Sequence, residues 1–280
     1  MKKILVTGSS GKLGKEIVRL LRTNNYNVLG IDLLQGETTD ELIDIRDKNV
    51  VKEITQGIDA IIHTAALHGR HTDLNYSRDK FIVTNIKGTN NLLSASIENG
   101  INKFLYTSTT SIYGTAMVSD KQAVWVDEEL LPDPRDIYDI TKLTCELLCK
   151  DYFEKEGIEA TVLRVSRFLP EDDNTKANHR IYRGLDEEDG AIGHQLVLEK
   201  KFDTFEIYNI SNDSPFKKKD LADLYTNPKK VICQYYPEAE NYYARNNWKF
   251  MDRIDRVYSI AKAKKELNYR PLNNFDTFIK

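Results

Sequence analysis

The chain is poor in the features that mark several protein classes. Its 280 residues hold only three cysteines, and an odd number of thiols in a chain this long does not make a disulfide framework. Cys145 and Cys149 lie four apart on an expected helix, but no second pair of ligands accompanies them, so they read as buried or half-buried free thiols. Charge of one sign is not in excess. Forty basic against 43 acidic residues give a net charge of −3, and the basic residues are dispersed rather than gathered into a stripe, so no nucleic-acid partner is indicated. No apolar run approaches a transmembrane length. Met1 leads straight into a strand pattern without a signal peptide, so a cytoplasmic location is expected. Internal repeats and low-complexity tracts are also missing. What remains is a globular chain long enough for one doubly wound α/β domain plus a small appendage.

The stretch around which the rest is organised is KKILVTGSSGKLG, Lys2 to Gly14. An apolar run stops at Thr7 and gives way to Gly8, Gly11 and Gly14, which reads as a strand, a tight turn and a helix start. The first glycine permits the turn, the second lets backbone N–H groups approach a pyrophosphate, and the third lets the helix pack close to the strand. Phosphates would then sit at a helix N-terminus, where open amides and the helix dipole favour negative charge. A helix pattern over Lys12–Arg22 and a strand over Asn27–Ile31 follow, ending in Asp32. A dinucleotide-binding unit places there a carboxylate for the adenosine ribose. Leu33 and Leu34 come next, with no basic residue to pair a 2′-phosphate, so NAD is expected over NADP; Lys12 and Lys15 are the residues that could still hold an extra phosphate.

Strand and helix patterns then alternate, which implies a parallel sheet covered on both faces. Strands are expected at Glu41–Ile45, Ala60–Ile62, Lys103–Thr107, Ala160–Val165 and near Phe205–Ile210. Helices are expected at Asn49–Gln56, Ser77–Glu98, Ile137–Phe153 and near Ala191–Glu199. Tyr138 and Lys142 stand at i and i+4 of one of them, on one face and within reach of one ligand. Pro170 to Asn178 is acidic and polar. The last seventy residues, rich in Lys, Asn and Tyr, show short helical patterns at Lys218–Tyr225 and Arg256–Leu267 and read as a small lid with the tyrosines and Trp248 in its core.

TGSSGKLG, Asp32, DIRD from Asp44, HTAA from His63, NIKGTNNLL from Asn85, TSTTSIYG from Thr107 and YDITK from Tyr138 together resemble, in order and spacing, the extended short-chain dehydrogenase/reductases. Within these the likeness is to the NAD-dependent epimerase/dehydratase family. It runs from Lys2 to about Pro170 and is loose afterwards. It implies a Rossmann-type doubly wound parallel sheet with a small mixed C-terminal lid. The NAD-binding domain would span residues 1–165, with 186–212 returning to it, and 166–185 plus 213–280 would form the substrate region. As carried over, the catalytic residues are Thr109, Tyr138 and Lys142, with Ser108 able to share the threonine's role. The implied cofactor-binding residues are Gly8, Ser10, Gly11, Lys12, Leu13, Gly14, Asp32, Asp44, Ile45, Thr64, Ala65, Ala66, His68, Asn85, Thr107, Tyr138, Lys142 and Val165. Thr109, Thr110, Tyr138 and Arg167 would meet substrate. Tyr138 would act as general acid/base, and because a phenol normally titrates near 10 it needs stabilisation as phenolate. Lys142 is expected to supply it, together with the oxidised nicotinamide.

His63, His68 and His71 follow no known ligand spacing, so no metal is expected, and His194 in an apolar helix pattern reads as structural. After the strand ending at Val165, many relatives carry an asparagine that contacts a nucleotide-sugar. This chain has Arg167 there, close to the acidic run Glu171–Asp173, and is short for a nucleotide-sugar epimerase. Arg167 then meets either those acids or an anion on the ligand. The reading is an NAD-dependent sugar or nucleotide-sugar epimerase or dehydratase. A uronate-like sugar dehydrogenase is the alternative, and a non-catalytic NAD sensor or scaffold the reading from another class. The expected partner is a small sugar or nucleotide-sugar, with neither nucleic acid nor membrane, and a homodimer is allowed.

Overall fold

The computed structural model describes residues 2–168 and 171–279, without the side chains of Arg70 and Thr72; Met1 and Pro170 of the readings above lie outside these. The first half runs β1 (Lys3–Thr7), α1 (Lys12–Thr23), β2 (Asn27–Asp32), β3 (Glu41–Leu42), α2 (Lys48–Ile54), β4 (Ala60–His63), a short α3 (Arg70–Asp73) and α4 (Arg78–Phe81). Helix α4 continues through a π-helical stretch (Ile82–Lys87) into α5 (Gly88–Glu98), followed by β5 (Lys103–Thr109), β6 (Val124–Val126), α6 (Ile137–Glu156) and β7 (Glu159–Val165). Then come α7 (Asp173–Arg180), α8 (Glu187–Glu199), β8 (Glu206–Ile210), α9 (Leu221–Thr226), α10 (Pro228–Tyr235), α11 (Ala239–Arg245), β9 (Arg256–Tyr258) and α12 (Ala261–Glu266).

Seven strands form one parallel sheet in the order β3-β2-β1-β4-β5-β7-β8. Because a strand alternates its side chains between faces, the continuous apolar runs of β1, β4 and β5 feed two cores at once. Ile4, Val6, Ile62, Leu105 and Leu163 pack on one face with Leu13, Ile17 and Leu21 of α1 and Val197 of α8. Leu5, Ile31, Ile61, Phe104 and Val162 pack on the other with Leu92, Leu93, Cys145 and Cys149. The two cysteines are buried free thiols, as their spacing suggested.

Three elements differ from the sequence reading. Strand β3 pairs with β2 only through Glu41 and Leu42, because Asp44–Asp47 closes into a turn with Asp47 N donating to Asp44 O at 3.0 Å. The acidic stretch, read only as acidic and polar, carries the start of α7, which Asp172 caps, its Oδ1 accepting from Thr175 N at 3.0 Å. Arg256–Leu267 is not one helix, since its first three residues are β9, parallel to β6. Tyr243, Phe275, Ile232 and Val257 form a third apolar core. Trp248 meets Tyr242 and Tyr243 edge-on there, at ring separations of 5.4 and 5.6 Å, so these aromatics are core as expected.

Candidate active site

At the carboxyl ends of β1, β4, β5 and β7 lies a cleft of about 920 Å³, the place where open parallel sheets bind ligands. Its floor is the glycine turn. Gly8 takes the left-handed conformation, with φ +72°, and accepts a hydrogen bond from Gly11 N at 3.0 Å. A methyl group on Gly14 would come within 2.1 Å of Gly8 O, so only glycine lets α1 start this close to the strand. Helix α1 begins at Gly11 with no side-chain cap and no acidic residue in its first turn, leaving its first N–H groups open towards an anion. Asp32 accepts from Ser10 N at 3.0 Å and Leu34 N at 3.1 Å, which ties the turn to the end of β2. Asp44 is clamped by Arg46, whose guanidinium holds the carboxyl below its usual range. A dinucleotide fits this set: an uncapped helix start for the pyrophosphate and a carboxylate beside it for the ribose.

The cleft gathers Gly8, Ser10, Gly11, Lys12, Leu13, Gly14, Asp32, Asp44, Ile45, Thr64, Ala65, Ala66, His68, Thr107, Thr109, Thr110, Tyr138, Lys142, Val165 and Arg167. Thr109 ends β5 and Tyr138 lies in the first turn of α6, which Asp136 caps by accepting from Asp139 N at 2.9 Å. Burial pushes the Tyr138 phenol well above its ordinary range, and a hydrogen bond with Thr109 acts against that. Lys142, one turn further on, is buried and donates to Thr107 O at 2.5 Å. Its ammonium sits 4.4 Å from the centre of the Tyr106 ring, and burial lowers its pKa to about 8. The His68 ring packs 5.2 Å from that of Tyr138.

Two expected site residues are placed otherwise than expected. Ser108 lines the cleft, but its buried hydroxyl donates to Glu146, itself paired with Arg164 at 2.7 Å. Asn85 does not line the cleft. Its side chain accepts from Leu67 N at 2.7 Å and donates to Leu67 O at 3.1 Å and Thr141 at 2.9 Å, so it holds the loop after β4 in place. It does so from the π-helical stretch, a distortion frequent at functional sites. Two of the histidines are consumed in the core. His63 bridges Thr7 and Thr89 at 2.7 and 2.9 Å. His194 hydrogen-bonds Thr107 and Gly190 O, both at 2.8 Å. Among the described residues no cluster of three His, Cys, Asp or Glu could hold a metal ion.

The cleft is also lined by residues the sequence reading missed, among them Met117, Phe168, Arg183, Arg256 and Tyr258. Arg256 and Tyr258 come from β9, and both approach Met117 Sδ at 3.4 Å. The alternation in Arg256-Val257-Tyr258 was the one available signal, too short to outweigh the helical pattern behind it. Arg167 lies here too, but it is exposed and pairs with Glu171 at 3.3 Å.

Residues 4–187 match the NAD dependent epimerase/dehydratase family. An uncharacterized UDP-glucose epimerase, YtcB of Bacillus subtilis, is 33% identical over 180 residues, covering 58% of this chain and 55% of that protein. The chain spans about half the length of such curated relatives, 40% and 46% for the two that follow. The L-arabinose 1-dehydrogenase (NAD(P)(+)) of Haloferax volcanii is 28% identical over 293 residues and is covered in full, as is this chain. A solved short-chain dehydrogenase/reductase superfamily protein from Agrobacterium tumefaciens with bound NAD shares the fold, with a TM-score of 0.74 at 19% identity, covering 99% of this chain and 94% of that one. No helix among the described residues is long and apolar enough to cross a membrane.

Proposed function

The chain belongs to the NAD-dependent epimerase/dehydratase family, and on that premise we propose that it oxidises a hydroxyl-bearing carbon of a sugar, with Thr109, Tyr138 and Lys142 as its catalytic set. NAD, when bound, supplies the hydride acceptor. The Gly8–Gly14 turn would hold its pyrophosphate and Asp32 its adenosine ribose. Asp44 and Ile45 would flank the adenine, the Thr64–Ala66 turn would line the cofactor, and Lys142 would reach the nicotinamide ribose. The observation that carries the reading is the meeting of Thr109 and Tyr138 at the end of β5, above a buried Lys142. Thr109 Oγ1 orients the substrate hydroxyl, and Tyr138 Oη takes its proton. Because burial disfavours the phenolate, Tyr138 needs positive charge nearby to serve as base, and Lys142 is the residue one helical turn away. Residues 166–185 and 213–280 would hold the sugar.

Two outcomes follow from one oxidation. An epimerase or dehydratase returns the hydride to the sugar, as the family name implies. A dehydrogenase releases the oxidised sugar, and one observation favours it: an arabinose dehydrogenase is matched end to end, whereas the YtcB epimerase match covers about half. Purified protein should be assayed for retained NAD and for NADH formation with neutral aldoses and nucleotide-sugars. Tyr138→Phe should abolish turnover and leave NAD affinity nearly intact, whereas Lys142→Met should weaken both. Turnover persisting in Tyr138→Phe would refute the catalytic assignment.

A further inference from the structure

Four arginines line the cleft; Arg135 lies 3.7 Å from Asp139, and of the other three the protein supplies carboxylates for two. Arg167 pairs with Glu171 at 3.3 Å and Arg256 with Asp255 at 2.5 Å. The third, Arg183, shares their wall: Arg167 N donates to Arg183 O at 3.4 Å, and Leu185 N to Arg167 O at 3.0 Å. Among the described residues no carboxylate pairs with Arg183. Its side chain donates one hydrogen bond, from Nη2 to His179 Nε2 at 2.8 Å, and its buried Nε has no acceptor.

Asp255 feels the Arg183 charge but does not bond it, and the contacts of His179 show why no other carboxylate does. A guanidinium only donates, so His179 Nε2 accepts, and the ring proton sits on Nδ1, 2.8 Å from Glu171 Oε2. The imidazole is therefore neutral. The single charge of Glu171 is already divided between His179 on Oε2 and Arg167 on Oε1, and Asp255 is forked onto Arg256. Arg183 is thus fixed in place by a neutral acceptor. The Tyr182 ring, 5.2 Å from the guanidinium carbon, adds a stacking contact. With Nε buried, the Nη protons that His179 leaves free are the donors this cleft-lining guanidinium offers to a planar or tetrahedral oxyanion.

Resting on the sugar-oxidising reading above, we propose that Arg183 pairs with an oxyanion, a carboxylate or a phosphate, carried by the sugar. It takes the role that the sequence placed on Arg167, which Glu171 already engages. The test is to titrate wild type, Arg183→Met and Arg167→Met, each saturated with NAD, with a hexuronate, a hexose phosphate and the parent neutral hexose, following binding by calorimetry. Wild type should bind one of the two anionic sugars about tenfold or more tighter than the neutral one, and the stronger arm identifies the anion. Arg183→Met should erase that preference while NAD and neutral-sugar affinities stay within about twofold, and Arg167→Met should keep it. Equal affinities in wild type, or a preference that survives in Arg183→Met, overturn the proposal. Should Arg183→Met fail to fold, a salt series on wild type decides: added salt must weaken the anionic sugar alone, and parallel weakening counts against Arg183. Wild type that binds no NAD refutes the broader functional reading, and this proposal with it.

Discussion

Replacing Gly14 by alanine tests the cofactor cradle at its tightest point. The new methyl group would lie 2.1 Å from Gly8 O, 2.8 Å from Gly8 C and 3.0 Å from Thr64 Oγ1. Two of these atoms are backbone, and Thr64 is itself tied to Thr7 O at 2.7 Å, so no flexible side chain can swing away. Reaching the 3.4 Å of ordinary contact requires the turn and α1 to part by about 1.3 Å. Overpacking of this kind costs about 1–3 kcal/mol of stability, which lowers Tm by about 2–4 °C per kcal/mol in a chain of this size. The same displacement pulls the open amides of α1 away from the pyrophosphate. Losing one charge-assisted hydrogen bond, about 1.5–3 kcal/mol, weakens NAD by roughly ten- to a hundredfold. Thermal unfolding and an NAD titration read the two effects separately. Leu92→Ala, a core truncation costing about 2–5 kcal/mol at a fully buried position away from the cleft, is the control: it should lower Tm and leave NAD affinity unchanged. Wild-type affinity in Gly14→Ala would show that the turn does not hold the pyrophosphate.

Other outcomes follow from the buried polar groups. Burial lowers His63 to about 3 and His194 to about 4, so the unfolded chain takes up protons that the folded one refuses. Stability is then complete above about pH 6.5 and falls as pH drops towards 4, by about 1.4 kcal/mol per unit for each histidine; a urea midpoint identical at pH 7 and pH 5 contradicts this. Asn85→Ala should free the Leu67 backbone, raising amide exchange at Leu67 and weakening NAD several-fold, and unaltered exchange would leave Asn85 without its assigned task. Arg164→Met strands a buried Glu146 carboxylate and should cost about 3–5 kcal/mol, whereas removing both charges together should cost far less; equal losses by denaturant unfolding argue against the pair being coupled.

The strand-helix alternation could be read from the sequence because the sheet is buried on both faces. Parallel strands then appear as short, nearly unbroken apolar runs, and the runs at Ile4–Val6, Ala60–Ile62 and Phe104–Tyr106 all became central strands. The glycine turn and the Tyr138–Lys142 pair were legible for a similar reason: both are local, set by spacings of three or four residues along one element. The last seventy residues offered only short helical patterns. Their core is assembled from short pieces, with β6 and β9 pairing across 132 positions between Val124 and Arg256, and no local pattern reports a partner so distant.

The hydroxyl of Ser108 and the amide of Asn85 are placed otherwise than expected because spacing alone cannot fix the direction of a side chain, while Arg167 meets one of its two expected partners. Ser108 and Thr109 are neighbours with the same functional group, but consecutive residues of a strand point to opposite sides. One hydroxyl is therefore committed to Glu146, and the other meets Tyr138. Asn85 belongs to a helix whose turn is widened into a π-helix, and its amide grips the Leu67 backbone instead of lining the cleft. Arg167 has an acid four residues away, and Glu171 pairs with it in the fold. Glu171 also takes the Nδ1 proton of His179, and His179 offers Arg183 only a neutral nitrogen. The local pairing that satisfies Arg167 is thus what leaves Arg183 without a carboxylate of its own. Both pairings are local, Arg167 with Glu171 and Arg183 with His179, each four residues apart; what separates the two cations is the charge of the partner, a carboxylate for one and a neutral imidazole for the other.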